Sequence, residues 1–131
     1  MTRILLALLA LALATLHAGA ASAQTTYPSR PIKLIVPFPA GGPIDVMARL
    51  LGQKLSTSFG PVIVENRAGG GGTVGLKAVA AADPDGYTFL FGGTITLSVV
   101  PAVMTAPEGE QIRRMTPVAL ISSTPFVLIV A

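Results

Sequence analysis

The sequence predicts an α/β fold, a parallel sheet with flanking helices on both faces, and three observations carry that expectation. Apolar, β-branched runs alternate with stretches of helical periodicity. The runs are continuously apolar, as in strands buried on both faces, where a half-exposed strand would alternate. Two glycine-rich loops, Pro37-Phe38-Pro39-Ala40-Gly41-Gly42 and Ala68-Gly69-Gly70-Gly71-Gly72, each follow such a run and open a helix. Right-handed crossovers between adjacent parallel strands bring both loops to one carboxyl edge, the edge where open α/β sheets bind ligands.

Taken in chain order, residues 1–23 read as a secretory signal peptide. Arg3 gives the positive start, residues 4–16 form an apolar stretch, and Ala21-Ser22-Ala23 is a small-residue cleavage site before Gln24. The apolar stretch falls short of the roughly 20 residues a membrane-spanning helix needs, so an uncleaved anchor is the lesser reading. Ile32-Lys33-Leu34-Ile35-Val36 is the first strand, stopped by Pro37. Pro43 suits a first helical turn, and Ile44, Met47, Ala48, Leu51 and Leu55 recur at helical spacing, which predicts a helix over 43–58. Gly60-Pro61 breaks the chain before a second strand, Val62-Ile63-Val64-Glu65-Asn66. After the second loop Thr73 is the expected N-cap of a helix reaching Ala82. The turn Asp83-Pro84-Asp85-Gly86 then leads to a third strand over 87–91. Beyond it the expectations are a short helix within 95–104, a polar connection over 105–115, and strands over 118–121 and 126–130.

Composition removes several function classes. Loss of the leader takes Arg3 with it, so the 9 basic residues become 8 against 6 acids, and no basic run exceeds Arg113-Arg114. Nearly balanced charge of this kind points to neither nucleic acid nor an anionic membrane. There is no cysteine, so the expected stability of an exported chain rests on its core and not on disulfides. The single histidine, His17, lies in the leader. The mature residues therefore offer no Cys-His dyad, Ser-His-Asp triad or His-ligated metal site, and neither catalysis nor a cofactor is expected.

The two glycine loops are the candidate site. Exposed N–H groups and the positive end of a helix dipole stabilise an anion, and glycine lets it approach the backbone. Gly70, Gly72 and Gly75 satisfy a G-x-G-x-x-G spacing after a strand. The acid that would hold a ribose is missing, however, because the third strand runs into Phe91-Gly92-Gly93-Thr94. No Lys followed by Ser or Thr comes after the glycines, which removes a P-loop. For Phe38, Gly41 and Gly42 the plainer reading is a tight turn packed by Phe38. Asp45 is either a helix-start acid paired with Arg49 four residues on, or a group that orders a ligand amine or a bridging water. Arg67 beside Asn66 is either solvated or a carboxylate clamp. Thr94 and Thr96 at the third loop offer hydroxyls to the same ligand or cap the next helix. Tyr27 and Tyr87 read as packing residues.

Tyr27-Pro28-Ser29-Arg30-Pro31-Ile32, the Pro37 to Gly42 loop with Asp45 and Ala48-Arg49, Val64-Glu65-Asn66-Arg67 with its glycines, Pro84-Asp85-Gly86-Tyr87-Thr88 and Thr116-Pro117-Val118-Ala119 occur in that order. This ordered set resembles the Bug family of extracytoplasmic solute receptors, the binding proteins of tripartite tricarboxylate transporters. The resemblance implies a periplasmic-binding-protein type II-like fold with two α/β domains closing on a small organic acid, and membrane subunits of the transporter as partners. It implies ligand-binding roles for Phe38, Ala40, Gly41 and Gly42 in the first loop, for Asp45 and Asn66, for Gly70, Gly71 and Gly72 in the second loop, and for Thr94. Residues 109–114 depart from the family pattern. Family receptors are more than twice as long, so residues 24–131 are expected to be the N-terminal portion of solute-binding domain 1. The second domain, the hinge and the returning C-terminal segment would then be absent. The alternatives are a non-functional truncated remnant and a small secreted nucleotide-binding α/β protein.

Overall fold

The computed structural model describes residues 26–104 and 106–123; the signal-peptide reading and the strand expected over 126–130 lie outside them. Strand β1 (Ile32–Val36) is the centre of a parallel sheet ordered β2-β1-β3, with β2 at Val62–Asn66 and β3 at Thr88–Leu90. The register sets Leu34 beside Val64 and Phe89, and Ile35 beside Glu65 and Leu90. Because side chains alternate along a strand, Leu34, Val62, Val64 and Phe89 share one face and Ile35, Glu65 and Leu90 the other.

Helix α1 (Pro43–Phe59) covers the Leu34 face. Gly52 makes the approach possible, since a Cβ there would lie 3.3 Å from Val64 Cγ2 and 3.5 Å from Val62 Cγ1. Helix α2 (Thr73–Ala80) lies on the Ile35 face, where Ala78, Ile35 and Glu65 line a small hollow. With a helix on each face, β1 buries Ile32, Leu34, Ile35 and Val36, as a continuously apolar run demands. A π-helical turn at Ile95–Val99 leads into α3 (Val100–Val103), followed by α4 (Ala106–Arg113). Leu76, Val100 and Ile112 close a second small core, with Leu90, Met104 and Met115 packed against it.

Five local expectations are corrected. Residues 106–113 form α4 where a polar connection was expected: Ile112 is drawn into the Leu76 core, and Arg113 Nη1 donates to the Pro101 carbonyl at 3.4 Å. Residues 118–121 form no strand. Val118 and Leu120 are 77% and 86% exposed, and among the described residues no strand pairs with this run. Thr73 is the first residue of α2, not its cap: a 3₁₀ turn at Gly70–Gly72 precedes it, and Gly72 takes the cap position with φ +102°. The second helix and third strand are also shorter than expected.

Tyr27 and Tyr87 pack at 5.1 Å between ring centroids, and they do more than pack. Tyr27 donates to the Gly86 carbonyl at 2.6 Å, and the Ser29 N–H donates to Tyr87 Oη at 2.8 Å. Arg30 stacks 4.2 Å above the Tyr87 ring and pairs with Asp85. This clasp ties the start of β1 to the start of β3 at the amino edge, the end of the sheet away from the glycine loops.

Candidate functional site

The first glycine loop leaves β1 and turns at Gly41, whose φ of +82° suits a residue without Cβ. Its conformation is held by one carboxylate. Asp45, in the first turn of α1 with its side chain 3% exposed, accepts at Oδ2 from the Gly41 N–H at 2.7 Å and from Arg49 Nε at 3.0 Å. Asn66, at the end of β2, donates from Nδ2 to Asp45 Oδ1 at 2.8 Å and to the Phe38 carbonyl at 3.2 Å. Arg49 Nη2 donates to Asn66 Oδ1 at 2.9 Å and closes the network. The Arg49 hydrogen bond, then the Gly41 N–H, then Asn66 lower the Asp45 carboxyl from 3.8 to about 2, against the opposing effect of burial.

With the loop so fixed, the Ala40 N–H makes no hydrogen bond among the described residues, while a turn over residues 40–41 brings the Gly42 N–H back toward the Pro39 carbonyl. They lie at the start of α1, whose dipole is positive there. Phe38, Pro39, Ala40, Gly41, Gly42 and Ile44 line an open hollow of ≈ 520 Å³.

The second loop is a run of four left-handed glycines, with φ of +137° at Gly69, +54° at Gly70, +67° at Gly71 and +102° at Gly72. No other residue type adopts such a run at comparable cost. Gly72 N–H donates to the Gly69 carbonyl at 2.9 Å, and Thr73 N–H to that of Gly70, whereas the N–H groups of Gly70 and Gly71 have no partner among the described residues. The loops meet at one place. A Cβ at Gly72 would lie 3.5 Å from Pro37 Cβ and 3.2 Å from Thr96 Cγ2, and a Cβ at Gly93 3.8 Å from Ile44 Cδ1.

Gly75, third glycine of the G-x-G-x-x-G spacing, explains that pattern. A Cβ there would stand 2.8 Å from Pro37 Cβ, 2.9 Å from Pro37 Cα and 3.0 Å from the Arg67 carbonyl, so the glycine lets α2 press against the end of β1. Helix-to-strand packing is the same service the third glycine gives in dinucleotide folds, here with no acid at the end of β3 to hold a ribose.

Among the predicted site residues, Phe38, Ala40, Gly41 and Gly42 line the hollow, and in the second loop Gly70 and Gly71 are exposed while Gly72 is buried. Asp45 and Asn66 come together and bond to each other. Thr94 is exposed and makes no capping hydrogen bond. Arg67 Nε is paired with Glu65 at 2.7 Å. Thr96 is fully buried. The joining of Asn66 to Arg49 was missed; the signal for it is the in-register pairing of β1 and β2, which sets Asn66 beside Val36 at the base of the first loop. Among the described residues there is no cluster of three or more metal-ligating side chains, and no helix is long and apolar enough to cross a membrane.

A parallel sheet flanked by helices, with an N–H-lined carboxyl edge, has the form of the solute-binding proteins of the periplasm, and solved structures agree. A periplasmic transporter is 47% identical with a TM-score of 0.56, covering 58% of this chain and 26% of that one. MatC from Rhodopseudomonas palustris, solved with bound malate, is 38% identical with a TM-score of 0.56, covering 60% of this chain and 27% of its own. The model of the tripartite tricarboxylate transporter family receptor matches residues 46–131, and the chain belongs to that family. Protein BugT of Bordetella pertussis is 43% identical over 131 residues, 98% of this chain and 40% of BugT. A UPF0065 protein of Bordetella bronchiseptica is 42% identical over 124 residues, 94% of this chain and 37% of its own. The chain thus spans about two fifths of the length of these curated relatives.

Proposed function

We propose that this chain supplies one wall of the cleft of a periplasmic receptor for a small carboxylated solute. The receptor would pass its ligand, chemically unchanged, to the membrane subunits of a tripartite tricarboxylate transporter. The observation that carries this reading is the pair of glycine loops on adjacent parallel strands, the first presenting the unpartnered N–H of Ala40 and the second those of Gly70 and Gly71 at the same edge. In it, Ala40 and Gly42 and the Gly70 to Gly72 turn receive the carboxylate, and Phe38 walls the hollow. Asp45 and Asn66 hold the first loop in its receiving conformation, and Thr94 lies at the rim. The malate bound in MatC supports the ligand class. The reading includes export by residues 1–23, and a second domain whose closure excludes water and strengthens every N–H contact.

Backbone amide NMR of the chain titrated with malate, and in parallel with its uncharged diamide, tests the ligand class. Malate should shift the resonances of Ala40, Gly41, Gly42, Gly70 and Gly71 and the diamide should not. Equal responses to the two, or shifts confined to other residues, would sink it.

A further inference from the structure

Among the described residues, Thr96 Oγ1 is the one buried side-chain polar atom without a hydrogen-bond partner. The residue is 0% exposed. Burying a hydroxyl without a partner opposes folding, and valine would fill the same space without that penalty. Threonine in a helix ordinarily escapes by bonding the carbonyl one turn back. Here the turn is π-helical, with the Val100 N–H reaching back to the Ile95 carbonyl, and the hydroxyl makes no such bond.

Its position is as unusual as its state. Thr96 follows the third carboxyl-edge loop, and a Cβ at Gly92 in that loop would lie 3.5 Å from its Cβ. A Cβ at Gly72 in the second loop would lie 3.5 Å from its Oγ1, and the same point is 3.5 Å from Pro37 Cβ in the first. The unpartnered hydroxyl therefore sits where the three loops converge, next to the turn that carries the unpartnered N–H groups of Gly70 and Gly71. The amides can only donate and the hydroxyl can donate as well as accept, so one acceptor would serve all of them.

We infer that Thr96 is a further ligand-binding residue of this edge, its hydroxyl donating to the carboxylate that the glycine loops receive; this rests on the receptor reading above. Reaching the ligand takes rotation about χ1 or a shift of the turn. Four glycines in succession leave no Cβ to resist that shift.

Thr96→Val and Thr96→Ser, prepared in the full chain, test it through malate titration by NMR and thermal unfolding. Thr96→Val should weaken malate about tenfold while its unfolding temperature holds or rises, and Thr96→Ser should stay within about threefold of the unsubstituted chain. Unchanged malate affinity in Thr96→Val overturns this inference and leaves the receptor reading standing. Loss of affinity in both variants together with a lower unfolding temperature assigns Thr96 to packing and also overturns it. No malate response in the unsubstituted chain overturns both.

Discussion

At the scale of single residues, Asp45 decides the shape of the first loop. Its carboxylate accepts three hydrogen bonds, from the Gly41 N–H and Arg49 four residues to either side and from Asn66 on the neighbouring strand. Such acceptance favours the ionised form and lowers its pKa from 3.8 to about 2. A carboxyl with a lowered folded value contributes stability that is complete above its unfolded value and is lost as pH falls through the folded one. The unfolding temperature should therefore drop between about pH 4 and pH 2, and Asp45→Asn should flatten that part of the profile while lowering stability at neutral pH. Parallel profiles for the two proteins would remove Asp45 as the cause. The Arg49 partnership was legible, because a spacing of four places both side chains on one helix face. Asn66 was not, because it arrives from another strand through the sheet register.

At the scale of elements, β1, β2 and α1 were legible nearly to the residue. Their sequences combine continuous apolar runs with unambiguous breakers, and nothing in the tertiary structure contradicts them. Helix α4 was not legible: Pro107 and Gly109 interrupt its pattern, and the helix draws its stability from outside itself, through Ile112 in the Leu76 core and Arg113 on the Pro101 carbonyl. Val118, Leu120 and Ile121 mislead in the opposite sense, since β propensity makes a strand only where a neighbour offers its backbone. The G-x-G-x-x-G spacing was legible too, with a meaning that only packing reveals. A Cβ at Gly75 would meet backbone atoms of Pro37 and Arg67 at 3.0 Å or less, atoms that cannot step aside as a flexible side chain can. Gly75→Ala should destabilise the chain by about 1–3 kcal/mol through forced separation of α2 from β1. Gly41→Ala is the control, because its Cβ meets nothing within 4 Å and only the left-handed φ opposes it, at about 1–2 kcal/mol. Urea unfolding of both variants checks the pair. A Gly75→Ala protein as stable as the parent would mean that this contact yields without cost.

At the scale of the whole molecule, the arrangement of charge states how an anion would be held. Every arginine among the described residues is in an ion pair: Arg30 with Asp85, Arg49 with Asp45, Arg67 with Glu65, and Arg113 and Arg114 with Glu110. Beside the glycine loops the two nearest, Arg49 and Arg67, are thus offset by carboxylates, and what remains to attract a ligand is oriented N–H groups and helix dipoles. These act at contact distance. A free cation would act across the Debye length, which shrinks from about 30 Å at 0.01 M salt to about 3 Å at 1 M. If the loops bind as proposed, malate affinity should change by less than about threefold between roughly 0.02 M and 0.5 M salt, because short-range dipolar contacts are little screened. The same NMR titration, repeated across that range with a salt of weakly binding anions, measures it. A fall of about tenfold or more would mean that a cation carries the binding. Arg67 would then have to leave Glu65 to do so, and Arg67→Gln would abolish the salt dependence together with most of the affinity.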